Sequence, residues 1–300
     1  MGSNYPFGEQ LWNRTWGTKN QDDKPKEIHI DEDDQIYISG VSYGVSSKHF
    51  LLKYDRLGNK TWETSWGVPM GLAPSYLEDL LFTGENIFLG ETFQYSTSSE
   101  LVLRQFNHDG DEIHNTKIST PGAYNSFGGM IESSENKIIV YGRYYSEWSD
   151  TNPIIAEYDL QGNWTWISGV DNGGHEDIHN IALDSSDNIY LCGGIGWEGD
   201  QDIYLLKFNN MGEYKWHHIW GAEEDDVALS LFLDDSGVIY TFGSTENSGT
   251  SVIIAKFEAM SDLQNPDFWP IIIIVSVAGI IGLVIVIMVL RYKNQTNKNL

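Results

Sequence analysis

The chain has 300 residues and a formal net charge of −25, from 43 acidic against 18 basic side chains. That balance argues against a nucleic-acid surface, which needs a basic face, and suits a soluble exterior or a cation-rich setting. The single cysteine, Cys192, excludes a disulfide within the chain, so cysteine usage leaves the compartment undecided.

Internal repetition dominates everything before residue 262. Three landmarks recur in a fixed order, with a period of about 51 residues. An Ile opens a β-rich run at Ile36, Ile87, Ile138, Ile189 and Ile239. An aromatic residue ends an apolar strand at Tyr54, Phe106, Tyr158, Phe208 and Phe257. A Gly with Trp four and often eight residues on appears as Gly8/Trp12/Trp16, Gly58/Trp62/Trp66, Gly162/Trp166 and Gly212/Trp216/Trp220, whereas Gly110 carries His114 and Ile118. Within each unit, strand-sized apolar runs are separated by turn residues and no helical periodicity occurs, which argues for an all-β fold. Four short strands repeated radially make a propeller blade. Burial of both blade faces explains why runs such as Ile203–Leu206 and Val252–Ala255 lack clean alternation.

Taken in order, residues 1–7 are a frayed lead and residues 8–260 a β-propeller of about five four-stranded blades. The blades lie near 17–67, 68–119, 120–170, 171–221 and 222–260. The last unit has three strands, and the chain opens with an orphan Gly-Trp strand, Gly8–Trp16. Joining the two completes the fifth blade and leaves no free sheet edge. Cys192, inside an apolar run, is expected as a small buried hydrophobe. The Trp rings are expected between adjacent blades, each burying a large area beside a Gly that takes a turn conformation.

Acidic turns such as Asp184–Asn188 and Asp234–Val238 invite a calcium reading, but they lack the spacing of an EF-hand loop, and side chains bonding their own backbone explain them equally well. His217-His218 lies within a Trp strand, and His175 with His179 has no helical face, so neither pair points to zinc. No catalytic motif is evident.

Antiparallel order puts the loops after strands two and four on one rim. That rim gathers Tyr43, Phe93, Tyr95, Tyr144, Tyr145, Trp148 and Trp197 with His175, Glu176, Asp177, Glu223, Glu224, Asp225 and Asp226. Aromatics rimmed by polar groups suit a glycan- or protein-binding surface, while rings folded back to cap the blades are the alternative. The candidate patch is Tyr95, Tyr145, Trp148, Trp197, Asp177 and Asp226. If the protein is an enzyme, Asp177 and Asp226, at the start of innermost strands, are the first carboxylates to consider.

Residues 261–268 form a short polar linker, and Ile271–Leu290 carry no charge over a length that fits a bilayer core as a helix. A membrane-spanning helix over 269–290 is therefore expected, with Ala278 and Gly282 as a small-residue pair. The 291–300 tail holds Arg291, Lys293 and Lys298, which places it inside and the propeller outside. Against that orientation, no signal peptide precedes Tyr5, so either the start is mis-assigned or truncated, or the span itself directs insertion and the propeller stays inside. Asn13, Asn59 and Asn163 each open an Asn-x-Thr acceptor pattern, in keeping with an external body.

Asp234-Asp-Ser-Gly-Val-Ile-Tyr-Thr-Phe-Gly-Ser244 followed by Ile253-Ile-Ala-Lys-Phe257 resembles the SBBP-type β-propeller repeat of bacterial and archaeal surface proteins, as do Ile36–Gly40 and Leu51–Gly58. The resemblance spans residues 8–260 and implies the propeller fold without a single activity. The Asp55-x-x-Gly58-x-x-x-Trp62 piece also looks like the PQQ-like blade signature of quinoprotein dehydrogenases, whose cofactor residues are unmatched here. A terminal span with a basic tail is similar to archaeal cell-surface anchoring. The expectation is a membrane-anchored, extracytoplasmic binding or scaffolding module for a surface glycan or protein. The rivals are a quinone-dependent oxidoreductase, a carboxylate-based glycan hydrolase and a purely structural envelope component.

Overall fold

The computed structural model describes residues 10–17, 19–44, 47–68, 76–84, 86–95, 98–118, 125–146, 150–197, 199–221, 224–246, 250–257, 271–276 and 284–288. Every regular element among the described residues is a β-strand, and the chain divides into two compact units. The first is Met1–Thr97 with Leu101–Lys117, and the second is Ser98–Glu100 with Ile118–Leu300.

In the first unit, β1 (Asp22–Ile30), β2 (Ile36–Tyr43), β3 (Lys48–Tyr54) and β4 (Lys60–Gly67) form one antiparallel sheet. A second sheet holds β5 (Tyr76–Phe82), β6 (Asn86–Gln94), β7 (Ser99–Asn107) and β8 (Glu112–Ile118). Tyr37, Val41 and Leu51 of the one pack on Leu77, Ile87, Leu89 and Phe106 of the other.

The second unit repeats the plan three times. One sheet comprises β9 (Asn125–Glu132), β10 (Ile138–Ser146), β11 (Asp150–Tyr158) and β12 (Trp164–Gly169). The next comprises β13 (Glu176–Leu183), β14 (Ile189–Trp197), β15 (Asp200–Phe208) and β16 (Tyr214–Trp220). The last begins with β17 (Asp226–Leu233), β18 (Ile239–Glu246) and β19 (Thr250–Phe257). The β13–β16 sheet is buried on both faces. Leu191, Tyr204 and Leu206 pack towards Ile139 and Ile155, while Tyr190, Cys192 and Leu205 pack towards Ala228, Ile253 and Phe257. The first strands of these three sheets neighbour one another, β13 touching both β9 and β17. Four four-stranded sheets and a fifth, of five strands, that begins with β17–β19 are consistent with a propeller of about five blades.

Each blade repeats two turns and one bulge. In the β3–β4 turn, Asp55 Oδ1 accepts the N–H groups of Leu57 and Asn59 at 2.9 and 2.8 Å, and Gly58 takes a φ of 76°. Asn107, Asp159 and Asn209 serve the equivalent turns. In the turns between first and second strands, Asp31, Asp184 and Asp234 do the same, and each also accepts from the Tyr six residues on. The acidic turns singled out for calcium thus have their carboxylates engaged by backbone N–H groups and Tyr hydroxyls. The first strand of every sheet carries a one-residue bulge, at Lys26, Glu78, Gly128, His179 and Leu229.

The Gly-x-x-x-Trp element is a packing device. A Cβ on Gly58, Gly110 or Gly212 would stand 2.8, 2.9 or 2.5 Å from the ring of Trp12, Trp62 or Trp166 respectively. Trp12 Nε1 donates to Arg56 O at 3.2 Å and Trp62 Nε1 to His108 O at 3.0 Å, so these two rings are held identically. Trp216 and Trp220 sit in the core between the last two sheets.

Two expectations differ from the structure. Ile271–Ser276 (β20) and Val284–Met288 (β21) are strands, β20 pairing with the edge of β19 and β21 with β20, where a helix was expected over 269–290. Both are runs of β-branched Ile and Val, which favour extended backbone, and β19 offers unpaired N–H and C=O groups to bond. No helix among the described residues is long and apolar enough to cross a membrane. Residues 10–16, the described part of the expected closing strand Gly8–Trp16, belong to no sheet. Side chains hold them instead: Arg14 Nε donates to Gly58 O at 2.7 Å, and the Trp16 ring lies 4.4 Å from Phe50.

Candidate functional site

The candidate patch is best developed around the β14–β15 hairpin. Trp197 ends β14 and is 54% exposed, the largest aromatic side chain of the described residues left so open. Its hairpin is pinned on both sides. Gly196 N donates to His175 O at 3.0 Å, and Asp225 Oδ1 accepts the N–H groups of Gly199 and Gln201 at 2.8 and 2.9 Å. Gly196 and Gly199 have φ values of 122° and 93°, which only glycine adopts freely, so the local sequence allows the tight reversal.

Polar groups gather beside the indole. The His175 ring meets Trp197 edge-on at 5.6 Å, and its Nδ1 is bonded to Thr151 Oγ1. Asp177 Oδ2 lies 4.0 Å from His175 Nδ1, and Asp177 Oδ1 is paired with Arg143 Nη1. Tyr145, half-buried, is the cross-strand partner of Thr151 and shares its face of the sheet. Asp200 is the cross-strand partner of Trp197 and shares its face of the sheet.

Asp226 differs. It is only 3% exposed, and its carboxylate stands beside Gly221 together with that of Asp202. Burial, followed by the charges of Asp200 and Asp226, pushes the Asp202 carboxyl above its ordinary range. Tyr144 is likewise raised by burial and by Asp171 and Glu176. In both, burial is the larger cause and the neighbouring carboxylates add to it.

The sequence-predicted residues therefore separate. Trp197, Asp177 and Tyr145 fall in one neighbourhood on β10–β14, whereas Asp226 is buried at the head of β17. Tyr95 is half-buried and belongs to the other unit, and Trp148 lies outside the described residues. Arg143, Thr151, Asp200 and Asp202 escaped sequence reasoning. Arg143 had a usable signal, a cation beside Tyr144 and Tyr145 in a chain with few cations. The cross-strand partners had none until register was known.

Asn59 and Asn163 are exposed, but each donates its side-chain amide to the turn aspartate: Asn59 Nδ2 to Asp55 Oδ2 at 2.9 Å, and Asn163 Nδ2 to Asp159 Oδ2 at 3.2 Å. Asn188, which opens no acceptor pattern, does the same with Asp184, so turn chemistry accounts for Asn at these positions. Asn13 is exposed. Among the described residues no group of three His, Cys, Asp or Glu side chains is placed to hold a metal ion. Cys192 is fully buried, its Sγ 3.9 Å from Ala228 O, and burial pushes the thiol up to about 12.

No family model matches the chain, and no curated protein is similar to it. Solved structures resemble it in fold. A subtype N10 neuraminidase-like protein of A/little yellow-shouldered bat/Guatemala/060/2010 aligns with a TM-score of 0.52 at 12% identity, over 79% of this chain and 81% of that one. A polysaccharide lyase of family PL25, an ulvan lyase, aligns with a TM-score of 0.50 at 11% identity, over 79% of this chain and 62% of that one. A protein of unknown function from Dyadobacter fermentans has a TM-score of 0.49 at 11% identity, over 79% of each chain. At these identities the likeness to the neuraminidase-like protein and the lyase is one of fold alone.

Proposed function

We propose that this protein is a membrane-anchored, extracytoplasmic five-bladed propeller of SBBP type, which binds a cell-surface glycan or protein through the rim carrying Trp197. The observation that carries the reading is Trp197 itself, an open indole on a doubly pinned hairpin with Asp177, His175 and Arg143 beside it. A large apolar ring held rigidly in solvent gains contact area at little entropic cost when a partner covers it. Anchoring is supported by the uncharged run Ile271–Leu290. In a bilayer its backbone must satisfy its own hydrogen bonds, which favours helix over an open strand edge.

The enzyme reading has less behind it. Asp177 is closed off by Arg143, and Asp226 is almost wholly buried. Protease treatment of intact cells, with mass spectrometry of Asn13, Asn59 and Asn163, should show cleavage from outside. Complete protection would contradict the external placement. Against an array of surface glycans and envelope proteins, Trp197→Ala should weaken binding by about tenfold or more with no change in melting temperature. Unchanged binding would refute the role of the rim.

A further inference from the structure

The chain shows within its own core how it holds a guanidinium group. Arg104 lies 5.2 Å from the centre of the Trp66 ring, and its Nε donates to Glu91 Oε2 at 2.8 Å. An indole and a carboxylate together hold the arginine, the ring attracting the cation over its face and the carboxylate pairing with its N–H groups. At the rim, Trp197 and Asp200 stand directly across an antiparallel pair, so an indole and a carboxylate again share one face of a sheet. Both are exposed, and among the described residues no lysine or arginine lies over the Trp197 ring.

The surroundings favour the same occupant. Asp202 lies two residues from Asp200, and its carboxyl is raised first by burial and then by the Asp200 and Asp226 charges. The whole chain carries −25. Such a field draws cations and repels anionic sugars. Arg143 is already paired with Asp177. The pinned hairpin keeps indole and carboxylate in register before any ligand arrives.

We infer that Trp197 and Asp200 form a receptor for an arginine side chain presented by a partner protein. The inference rests on the reading of this rim as a binding face, and it selects protein over glycan as the partner. Guanidinium suits the site better than ammonium, because its plane stacks on the indole while its edge meets the carboxylate.

The test uses the full chain in neutral detergent and dye-labelled hexa-arginine, followed by fluorescence anisotropy, with hexa-lysine and maltohexaose as competitors. Hexa-arginine should bind, weaken as salt rises, and lose about five- to tenfold in affinity in Trp197→Ala. Asp200→Asn should lose a comparable factor, and it decides the matter should Trp197→Ala fail to fold. Hexa-lysine should compete less well. Equal affinity of the wild type and both variants would assign the binding to general surface charge and overturn the inference. If maltohexaose binds through Trp197 and hexa-arginine does not, the arginine receptor is wrong while the rim reading survives. If neither ligand depends on Trp197, both fall.

Discussion

Gly193 stands opposite the bulge of β13, where a Cβ would overlap the Asp177 carbonyl oxygen. Gly40, Gly142 and Gly243 occupy the same place in three other sheets, each against the carbonyl of a first-strand residue. The recurrent second-strand glycine is thus a requirement of the bulge, in which first and second strands come too close for any side chain. Gly193→Ala should lower stability by roughly 1–3 kcal/mol in chemical denaturation, because a packed backbone must move to admit the methyl group. Gly67, with open space around its Cα, is the control, and Gly67→Ala should change stability by no more than about 0.5 kcal/mol. An equal effect at both sites would show that the close approach at Gly193 is unimportant.

At the scale of elements, sheets are joined by apolar cores that contain a few fully enclosed polar groups. The clearest lies between the β1–β4 and β5–β8 sheets. Glu91 on β6 is 0% exposed, accepts Trp66 Nε1 at 2.6 Å and Arg104 Nε at 2.8 Å, and lies 2.5 Å from His49 Nδ1. Arg104 Nη1 reaches Glu112 Oε2 at 2.8 Å, so four strands meet at one carboxylate. Removing one partner of a buried charged network leaves the others desolvated and unmatched. Glu91→Gln should therefore cost roughly 3–5 kcal/mol in urea denaturation. Glu112→Gln, with its half-open side chain, should cost at most about 1 kcal/mol. Comparable losses would mean that burial of Glu91 is not what gives the network its weight.

For the molecule as a whole, acid is the expected vulnerability. Burial, with the nearby His217, holds His218 down from its ordinary 6.5 to about 4. The folded protein keeps this imidazole neutral while the unfolded chain takes up a proton below 6.5. The contribution of His218 is therefore fully present above 6.5 and is lost as pH falls towards 4. The loss is on the order of 3 kcal/mol across that window. Replacing His218 by Phe should flatten the stability curve between those limits, as read from urea midpoints at several pH values. A slope unchanged from the wild type would locate the acid response elsewhere.

Much of this organisation was legible in the chain itself. The spacing of Ile36, Ile87, Ile138, Ile189 and Ile239 marks the second strand of all five sheets, and the Gly-Trp landmark marks a ring resting on a turn. Both are legible because they depend on chain-local matters: strand length, turn conformation and a repeat that must present the same face each time. The composition of Ile271–Leu290 does not choose its backbone: in the structure Ile271–Ser276 pair with β19 and Val284–Met288 with Ile272–Ser276. The candidate site divides in the same way. Trp197 and Asp177 stood out by residue type, while Arg143, Thr151 and Asp200 became neighbours only through register and the packing of one sheet on the next. Those contacts join residues up to 34 positions apart, and no local rule relates them. Pattern and turn chemistry determined the blades, and tertiary packing alone decided which side chains share the rim, because proximity across strands is set by register and not by order along the chain.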